Sequence, residues 1–180
     1  MDDIKQLEGL PEQLKFPSYE AFPDIELYMD QVLDFLSRSR TGLRDDDKLS
    51  SAMVNNYIKA ELLPRAKGKK YAREHLVHLA IILRLKKVLS VTDTGTLIKQ
   101  CKRDKEEKDF FNGFRDMIEN SAIEVRDKVL NATDELPEIA MRLAVESYIC
   151  KITSEFIIDS IDKKEENEKE KGRGDAKTAE

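Results

Sequence analysis

The residues with the clearest chemistry in this 180-residue chain are cations crowded into one short segment. Between Pro64 and Tyr71 lie four of them, Arg65, Lys67, Lys69 and Lys70. Pro64 ends a preceding helix and Gly68 permits a tight turn, so the segment predicts a hairpin tip. Ammonium and guanidinium groups on such a tip can bind the phosphates of a nucleic-acid backbone. We interpret residues 64–71 as a basic wing that contacts phosphate.

A second candidate chemistry is hydrogen bonding by two adjacent asparagines, Asn55 and Asn56. They fall in a helix predicted to run from a cap at Ser50 or Ser51 to about Leu62. A step of about 100° per residue turns the apolar side chains to one face. The opposite face consists of Ser51, Ala52, Asn55, Asn56 and Lys59. Because an asparagine amide matches the major-groove edge of adenine, this face is predicted to read bases. The alternative is a polar face that only meets solvent.

Metal-binding and catalytic chemistry are weakly indicated. His75 and His78 stand three residues apart on one predicted helix, a spacing that can hold a metal, but no third ligand is placed beside them. Glu74 and His75 lack the second half of an HExxH signature. Both histidines of the chain lie on this one helix, so no Ser-His-Asp arrangement is indicated. We expect no metal, no cofactor and no enzyme activity.

The charges are segregated along the chain, although the net charge is only −5. Residues 50–103 carry 12 basic and 3 acidic side chains, whereas residues 1–49 are net −6 and residues 104–161 are net −7. A cationic block between acidic flanks predicts a localised anionic partner, for which double-stranded DNA is the first candidate. The alternative is that the block pairs with the acidic segments of the same chain.

The composition also bears on the compartment. The longest uncharged apolar run, His75 to Leu83, is far shorter than the ~20 residues that span a bilayer. The N-terminus has neither a basic region nor an apolar region of a signal peptide. Cys101 and Cys150 lie far apart, which suits a reducing environment. We therefore expect a cytoplasmic protein that does not bind membranes.

The elements that position these residues are predicted to be helices, so the expected fold class is all-α. Prolines at 11, 17 and 23 indicate an extended arm over residues 1–23, whose aromatic rings pack onto the following domain. Asp24 is predicted to cap a helix that ends near Arg38. Besides the helix at 50–62, helices are predicted over residues 73–89, 92–101, 105–131 and 136–161. The highly charged tail, residues 162–180, is predicted to be disordered.

The last predicted helix carries two apolar stripes on largely opposed sides. One consists of Met141, Val145, Tyr148, Ile149, Ile152 and Phe156. The other consists of Ile139, Leu143, Cys150, Ile157 and Ile161. Since one stripe suffices to pack on the preceding helix, the second needs another surface. We predict a homodimer joined through residues 136–161; the competing interpretation packs the second stripe inside the monomer.

Several separated segments resemble the winged helix-turn-helix of MerR-type proteins. They are Met53-Val54-Asn55-Asn56-Tyr57, Leu62-Leu63-Pro64, Lys70-Tyr71 and Glu74-His75-Leu76. The resemblance implies a recognition helix, a basic wing and a third helix that follows them. Glu61 stands where these proteins usually have glycine, Ala72 where they have serine, and Asn56 where an arginine often precedes the tyrosine.

The sequence is still more similar to a bacterial family named domain of unknown function 1836, over roughly residues 20–102. The segments that carry this likeness are 25–32, 53–59 and 71–76. That resemblance implies a MerR-like fold and brings no biochemical activity with it.

Together these features predict a DNA-binding transcriptional regulator. Residues 24–102 form the MerR-like DNA-binding domain and residues 103–161 a helical module for association or sensing. The α-helical face at 51–59 reads bases, while Arg65, Lys67, Lys69 and Lys70, together with Arg73 and Arg84, contact phosphates. One alternative is a protein-interaction module on a degenerate winged scaffold. Another is a regulator that senses a small molecule, in a pocket among Phe110, Phe111, Phe114, Tyr148 and Phe156.

Overall fold

The computed structural model describes residues 6–38 and 49–177, with side chains from 7 to 164. The helices are α1 (Leu10–Leu14), α2 (Met29–Arg38), α3 (Ser51–Lys59), α4 (Arg73–Leu85), α5 (Val91–Lys102), α6 (Glu107–Leu130) and α7 (Leu136–Lys177). Two 3-10 turns, Gln6–Gly9 and Tyr19–Ala21, flank α1. Strands β1 (Leu27–Tyr28) and β2 (Lys70–Tyr71) form a small antiparallel sheet. The mainly helical prediction is therefore confirmed, with one small sheet added.

The chain forms two compact units, Met1–Ile139 and Ala140–Glu180. The predicted boundary near residue 103 differs from this division, because α6 belongs to the first unit. Its rings Phe110, Phe111 and Phe114 are buried in the main core. Within the described part of the chain, no helix is both long and apolar enough to cross a bilayer.

Strand β1 lies where the sequence predicted the first turn of a helix. Leu27 pairs with Tyr71 and Tyr28 with Lys70, so the helix begins only at Met29. The Tyr28 N–H donates to Gln31 Oε1 at 2.9 Å, which caps α2 in place of Asp24. The pairing of β1 with β2 joins residues more than 40 positions apart, so local periodicity could not reveal it.

The N-terminal arm is confirmed to place its aromatic rings in the core. Phe22 meets Phe111 edge-on with ring centroids 5.2 Å apart, and Phe16 meets Phe114 at 5.7 Å. The arm is not extended throughout, however, because Leu10–Leu14 is helical. Pro11 lies in the first turn of α1, where backbone N–H groups have no acceptor within the helix, so the N–H that proline lacks costs no hydrogen bond.

Helix α4 is the centre of the first unit, as its sequence predicted. Every residue from His75 to Leu83 is buried. The helix ends at Leu85 rather than Leu89, and α5 starts from a Ser90 cap whose hydroxyl accepts from the Asp93 N–H at 3.1 Å.

Helix α7 extends further than predicted. Its backbone is helical to Lys177, whereas the sequence predicted a disordered segment from residue 162. Lysine and glutamate are good helix formers, and pairs three or four residues apart stabilise an exposed helix. Residues 178–180 of the predicted tail lie outside the described residues.

Candidate nucleic-acid interface

Helix α3 presents the predicted polar face to solvent. Ser50 caps it, its hydroxyl accepting from the Met53 N–H at 3.3 Å. Val54 and Tyr57 are buried in the core. On the opposite side Ser51, Ala52, Asn55, Asn56 and Lys59 are all exposed. The five side chains predicted to face bases therefore share one accessible surface.

The C-terminal end of α3 has the geometry that usually calls for glycine. Glu61 has φ of 59°, in the left-handed region, and its N–H bonds to the Ile58 carbonyl at 3.2 Å. The Leu62 N–H bonds back to the Tyr57 carbonyl at 2.9 Å. This pair of bonds is the Schellman motif, whose left-handed residue is most often glycine. Glu61 therefore differs in residue type from the glycine usual in MerR-type proteins, but its backbone has the conformation that glycine favours.

Replacing Glu61 with glycine is expected to raise the free energy of unfolding by about 1 kcal/mol, because glycine has no Cβ to strain the left-handed backbone. Chemical denaturation of the full chain measures the change. The matched control Glu61→Ala removes the same carboxylate but keeps a Cβ, so it should bring no such gain. Equal stabilisation by both variants would attribute the effect to charge instead.

The basic wing is a hairpin with a two-residue turn. Gly68 and Lys69 have φ of 57° and 65°, and the Lys70 N–H bonds to the Lys67 carbonyl at 3.0 Å. Two successive positive φ angles define the type I′ turn that suits the twist of hairpin strands. Arg65, Lys67 and Lys69 are exposed, whereas Lys70 is half-buried, with Nζ 5.7 Å from the Tyr28 ring centroid. The tip thus offers its cations to solvent.

Arg73 and Arg84, which the sequence assigned to phosphate, lie against the N-terminal arm instead of beside α3. Arg73 Nε donates to the Phe22 carbonyl at 3.0 Å, and its guanidinium stacks 5.2 Å from the Tyr19 ring centroid. The Arg84 guanidinium lies 4.6 Å from the Phe16 ring centroid. Both arginines hold the arm in place. The aromatic residues of the arm were the sequence feature from which these contacts could have been predicted, since the faces of aromatic rings attract guanidinium groups.

A groove of about 870 Å³ runs between α3 and α5. Asn55, Ile58 and Lys59 line it from α3, and Ile98, Lys99 and Arg103 line it from the C-terminal end of α5. The two sides approach closely at Gly95, where a Cβ would come within 3.0 Å of Leu62 Cδ1. No role was predicted from the sequence for the cations of α5, because the two sides of the groove are joined only by tertiary packing.

A cluster of ionisable side chains ties α5 to its neighbours at the edge of this groove. Lys102 Nζ lies 2.8 Å from Glu74 Oε1 and 2.5 Å from Glu107 Oε2. His78 Nε2 lies 3.1 Å from Glu107 Oε1. The four side chains come from α4, α5 and α6, so the cluster fixes these three helices to one another.

Burial and ion pairing act in opposite directions within this cluster. Burial by itself raises the pKa of Glu107, but hydrogen bonds from His78 and Lys102 outweigh it and hold that pKa below its usual range. Burial likewise opposes the charge of Lys102, yet Glu107 and Glu74 raise the pKa of the ammonium. At neutral pH Glu107 and Lys102 are therefore both charged, and the ion pair is intact.

The same cluster is the place where the described residues could hold a metal. One ligand atom from each of Glu74, His78 and Glu107 lies within 4.8 Å of the other two. The Lys102 ammonium lies among them and already forms ion pairs with both carboxylates. We therefore interpret the group as a structural ion cluster. His75, the other histidine, accepts from the Ala72 N–H through Nδ1 at 3.1 Å and caps α4.

Replacing Lys102 with methionine is expected to lower the free energy of unfolding by about 2–3 kcal/mol, because it leaves the Glu107 carboxylate partly buried without its cation. The difference in free energy of unfolding between this variant and wild type should narrow as the pH falls. Glu107 has a lowered pKa, so it stabilises the fold at neutral pH and loses that contribution once protonated. Because that pKa lies below the usual 4.5, the loss falls below pH 4.5, so urea denaturation from pH 7 down to about pH 3 tests both expectations.

The matched control is Lys108→Met, which breaks the exposed pair between Lys108 and Glu20. Exposed ion pairs contribute little, so its stability should stay close to that of wild type. If the two lysine variants behave alike, the cluster does not stabilise the packing of α5.

The fold and this surface define a class: a mainly helical protein whose first unit places an exposed polar helix, a basic hairpin and a cation-lined groove close together in its structure. Residues 17–121, more than half of the chain, match the family model described as Domain of unknown function (DUF1836). The chain therefore belongs to this family, as its sequence segments predicted. No curated protein matches it, and no solved structure matches it.

Proposed function

We propose that this protein is a cytoplasmic transcriptional regulator that binds double-stranded DNA through α3 and the basic wing. The observation that carries the proposal is the common exposure of Ser51, Ala52, Asn55, Asn56 and Lys59 on a helix whose other face is buried. An exposed helix with short polar side chains can enter the major groove, which is wide enough for one helix. The cations of the wing then contact the backbone.

The local architecture supports a MerR-like winged helix-turn-helix as the scaffold. Helices α2 and α3 are followed by the type I′ hairpin and then by α4, in the order that the resemblance implies. Strand β1 ties the start of α2 to the wing through the Leu27–Tyr71 pair. The left-handed Glu61 occupies the position where MerR-type proteins usually have glycine.

We further propose that the protein is a homodimer joined through residues 136–161. All six residues of the first predicted stripe are exposed, with Met141 at 67%, Tyr148 at 63% and Phe156 at 72%. An exposed apolar stripe of this length is typical of an association surface. The second copy of the chain is the occupant that fits best, because a two-fold dimer presents two recognition helices to a palindromic site.

The small-molecule pocket predicted from the sequence drew on aromatic side chains of both units. Phe110, Phe111 and Phe114 are buried, and rings of the arm pack against them. Tyr148 and Phe156 belong to the second unit and are exposed. Because three of the five side chains are part of the core, our proposal includes no effector site among them.

The test of the proposal begins with selection of bound sequences from random duplex DNA by the full chain. Asn55→Ala or Asn56→Ala should then reduce preference for the selected site over random DNA by about 1–3 kcal/mol, because a bidentate base contact is lost. Competition binding measures this preference. The matched control Asn120→Ala removes an exposed amide from α6, outside the proposed interface, and should leave this preference unchanged.

Two outcomes would count against the base-reading role. Equal loss of affinity for selected and random DNA would make the asparagines positioning residues. Failure of the wild-type chain to bind any duplex would favour the rival hypothesis, a protein-interaction module whose basic block contacts an acidic partner.

A further inference from the structure

The groove between α3 and α5 borders the helix that we propose enters the major groove. One side of the groove is the base-reading helix itself, through Asn55 and Lys59. A helix in the major groove is flanked by the sugar–phosphate strands that border that groove. Whatever lines a channel alongside α3 would therefore meet backbone.

The charge of the groove suits such a strand. Five of its lining residues are cations, namely Lys59, Arg65, Lys99, Lys102 and Arg103. Two are carboxylates, Glu61 and Glu74. Lys102 is paired with Glu74 at 2.8 Å, so the positive excess comes from the other four cations set against Glu61. The groove thus has an excess of positive charge next to the polar face of α3. Polyanions are attracted to concave surfaces of this kind.

The far side of the groove is also held in a fixed position. Lys102 joins the end of α5 to Glu74 of α4 and Glu107 of α6. Lys99 lies about one helical turn before this anchor and Arg103 directly after it, and both are exposed. Ile58 also lines the groove and is only half-buried, so it can pack against the apolar face of a deoxyribose.

We propose that this groove binds the sugar–phosphate backbone of DNA, with Lys99 and Arg103 contacting phosphates beside the recognition helix. The inference rests on the proposed function and adds a second set of phosphate contacts, separate from the wing. Arg73 and Arg84 contact the N-terminal arm. The groove cations therefore take over the phosphate contacts that the sequence assigned to these two arginines.

The test uses the full chain with Lys99→Gln and Arg103→Gln together. Each phosphate contact contributes about 0.9 to the slope of log affinity against log salt, so the slope for duplex DNA should flatten by about 1.8. At 0.1 M salt this corresponds to about 60-fold weaker binding. In phosphate ethylation interference, the groove variant should no longer show interference at certain phosphates. The wing variant Lys67→Gln/Lys69→Gln should still show interference at those same phosphates.

Two controls isolate the groove from net charge and from folding. Lys15→Gln with Lys128→Gln removes two exposed cations outside the groove and should leave the slope unchanged. Lys99→Arg with Arg103→Lys keeps both charges in place and should retain the wild-type slope. Circular dichroism of each variant checks that the helical content is unchanged.

An unchanged salt slope for the groove variant, with wild-type and wing variant behaving as proposed, overturns the inference and leaves the proposed function standing. The inference is also overturned if adenosine monophosphate binds the wild-type groove and not the variant while the duplex slope is unaffected, since the groove would then hold a free phosphorylated molecule. A wild-type chain that binds no duplex at low salt overturns the proposed function and the inference together.

Discussion

Replacing Lys67, Lys69 and Lys70 with glutamine is expected to weaken binding to every duplex alike and to flatten its salt dependence. Three lost phosphate contacts lower the slope of log affinity against log salt by up to about 2.7, because each contact releases about 0.9 counterions. At 0.1 M salt the affinity should fall by up to about 500-fold. Titration of duplex DNA at several salt concentrations measures both quantities.

The physical basis of this expectation is the geometry of the hairpin. Lys67 and Lys69 lie at an exposed type I′ turn that has no apolar anchor of its own. Lys70 is half-buried over the Tyr28 ring and should contribute least of the three. Since phosphates are the same in all sequences, the loss should not depend on the base sequence.

Replacing Lys67 and Lys69 with arginine provides the control, because it keeps each charge and leaves the same positive φ at position 69. The arginine variant should bind with nearly the wild-type salt slope. A glutamine variant with unchanged affinity and slope would show that the wing does not contact DNA.

Replacing Tyr148 with glutamate is expected to dissociate the proposed dimer. A charge at the centre of an apolar interface removes about 2 kcal/mol of association energy per copy, and the two-fold symmetry repeats the change. The total of about 4 kcal/mol raises the dissociation constant of the dimer about a thousandfold. Sedimentation equilibrium of the full chain measures this constant.

The matched control is Ser147→Glu, one residue earlier on the same helix. Ser147 is also exposed, but a step of about 100° per residue turns it away from the apolar stripe. It introduces the same charge and should leave the dimer intact. A wild-type chain that stays monomeric at high micromolar concentration would contradict the dimer, and equal dissociation by both variants would contradict its assignment to the stripe.

The two predictions also depend on each other in a measurable way. A dimer with two recognition helices binds a palindromic site with contacts from both copies. The Tyr148→Glu variant should therefore lose more affinity for a palindrome than for a single half-site. The wing variant should lose affinity for both.

Much of this molecule could be predicted from local patterns in its sequence. The burial of Val54 and Tyr57 against the exposure of Asn55 and Asn56 follows from a period of 3.6 residues, which depends on no distant contact. The continuous apolar run at His75–Leu83 determined a central helix, because only a position in the core covers such a helix on all sides. The chain's family was likewise readable from three short segments, and the family match over residues 17–121 confirmed it.

Tertiary structure alone decided which cations lie beside α3. Arg73 and Arg84 belong to the cationic block in the sequence, yet they contact the Phe22 carbonyl and the Phe16 ring. Lys99 and Arg103 belong to the same block and had no role assigned from the sequence, yet they line the groove next to Asn55. Long cationic side chains take their partners from elements far away in the chain, and periodicity contains no information about those elements.

The strand pair and the ion cluster were undetermined for the same reason. Leu27 pairs with Tyr71 and Lys102 with Glu74 although the partners lie far apart in the sequence, and Glu107 joins Lys102 from the next helix. The sequence by itself determined which faces are apolar and where the charges are concentrated. The packing of α4, α5 and α6 decided which of those charges lie within ion-pair distance of each other and which side chains lie beside α3, because ion pairing depends on distances that only the folded chain sets.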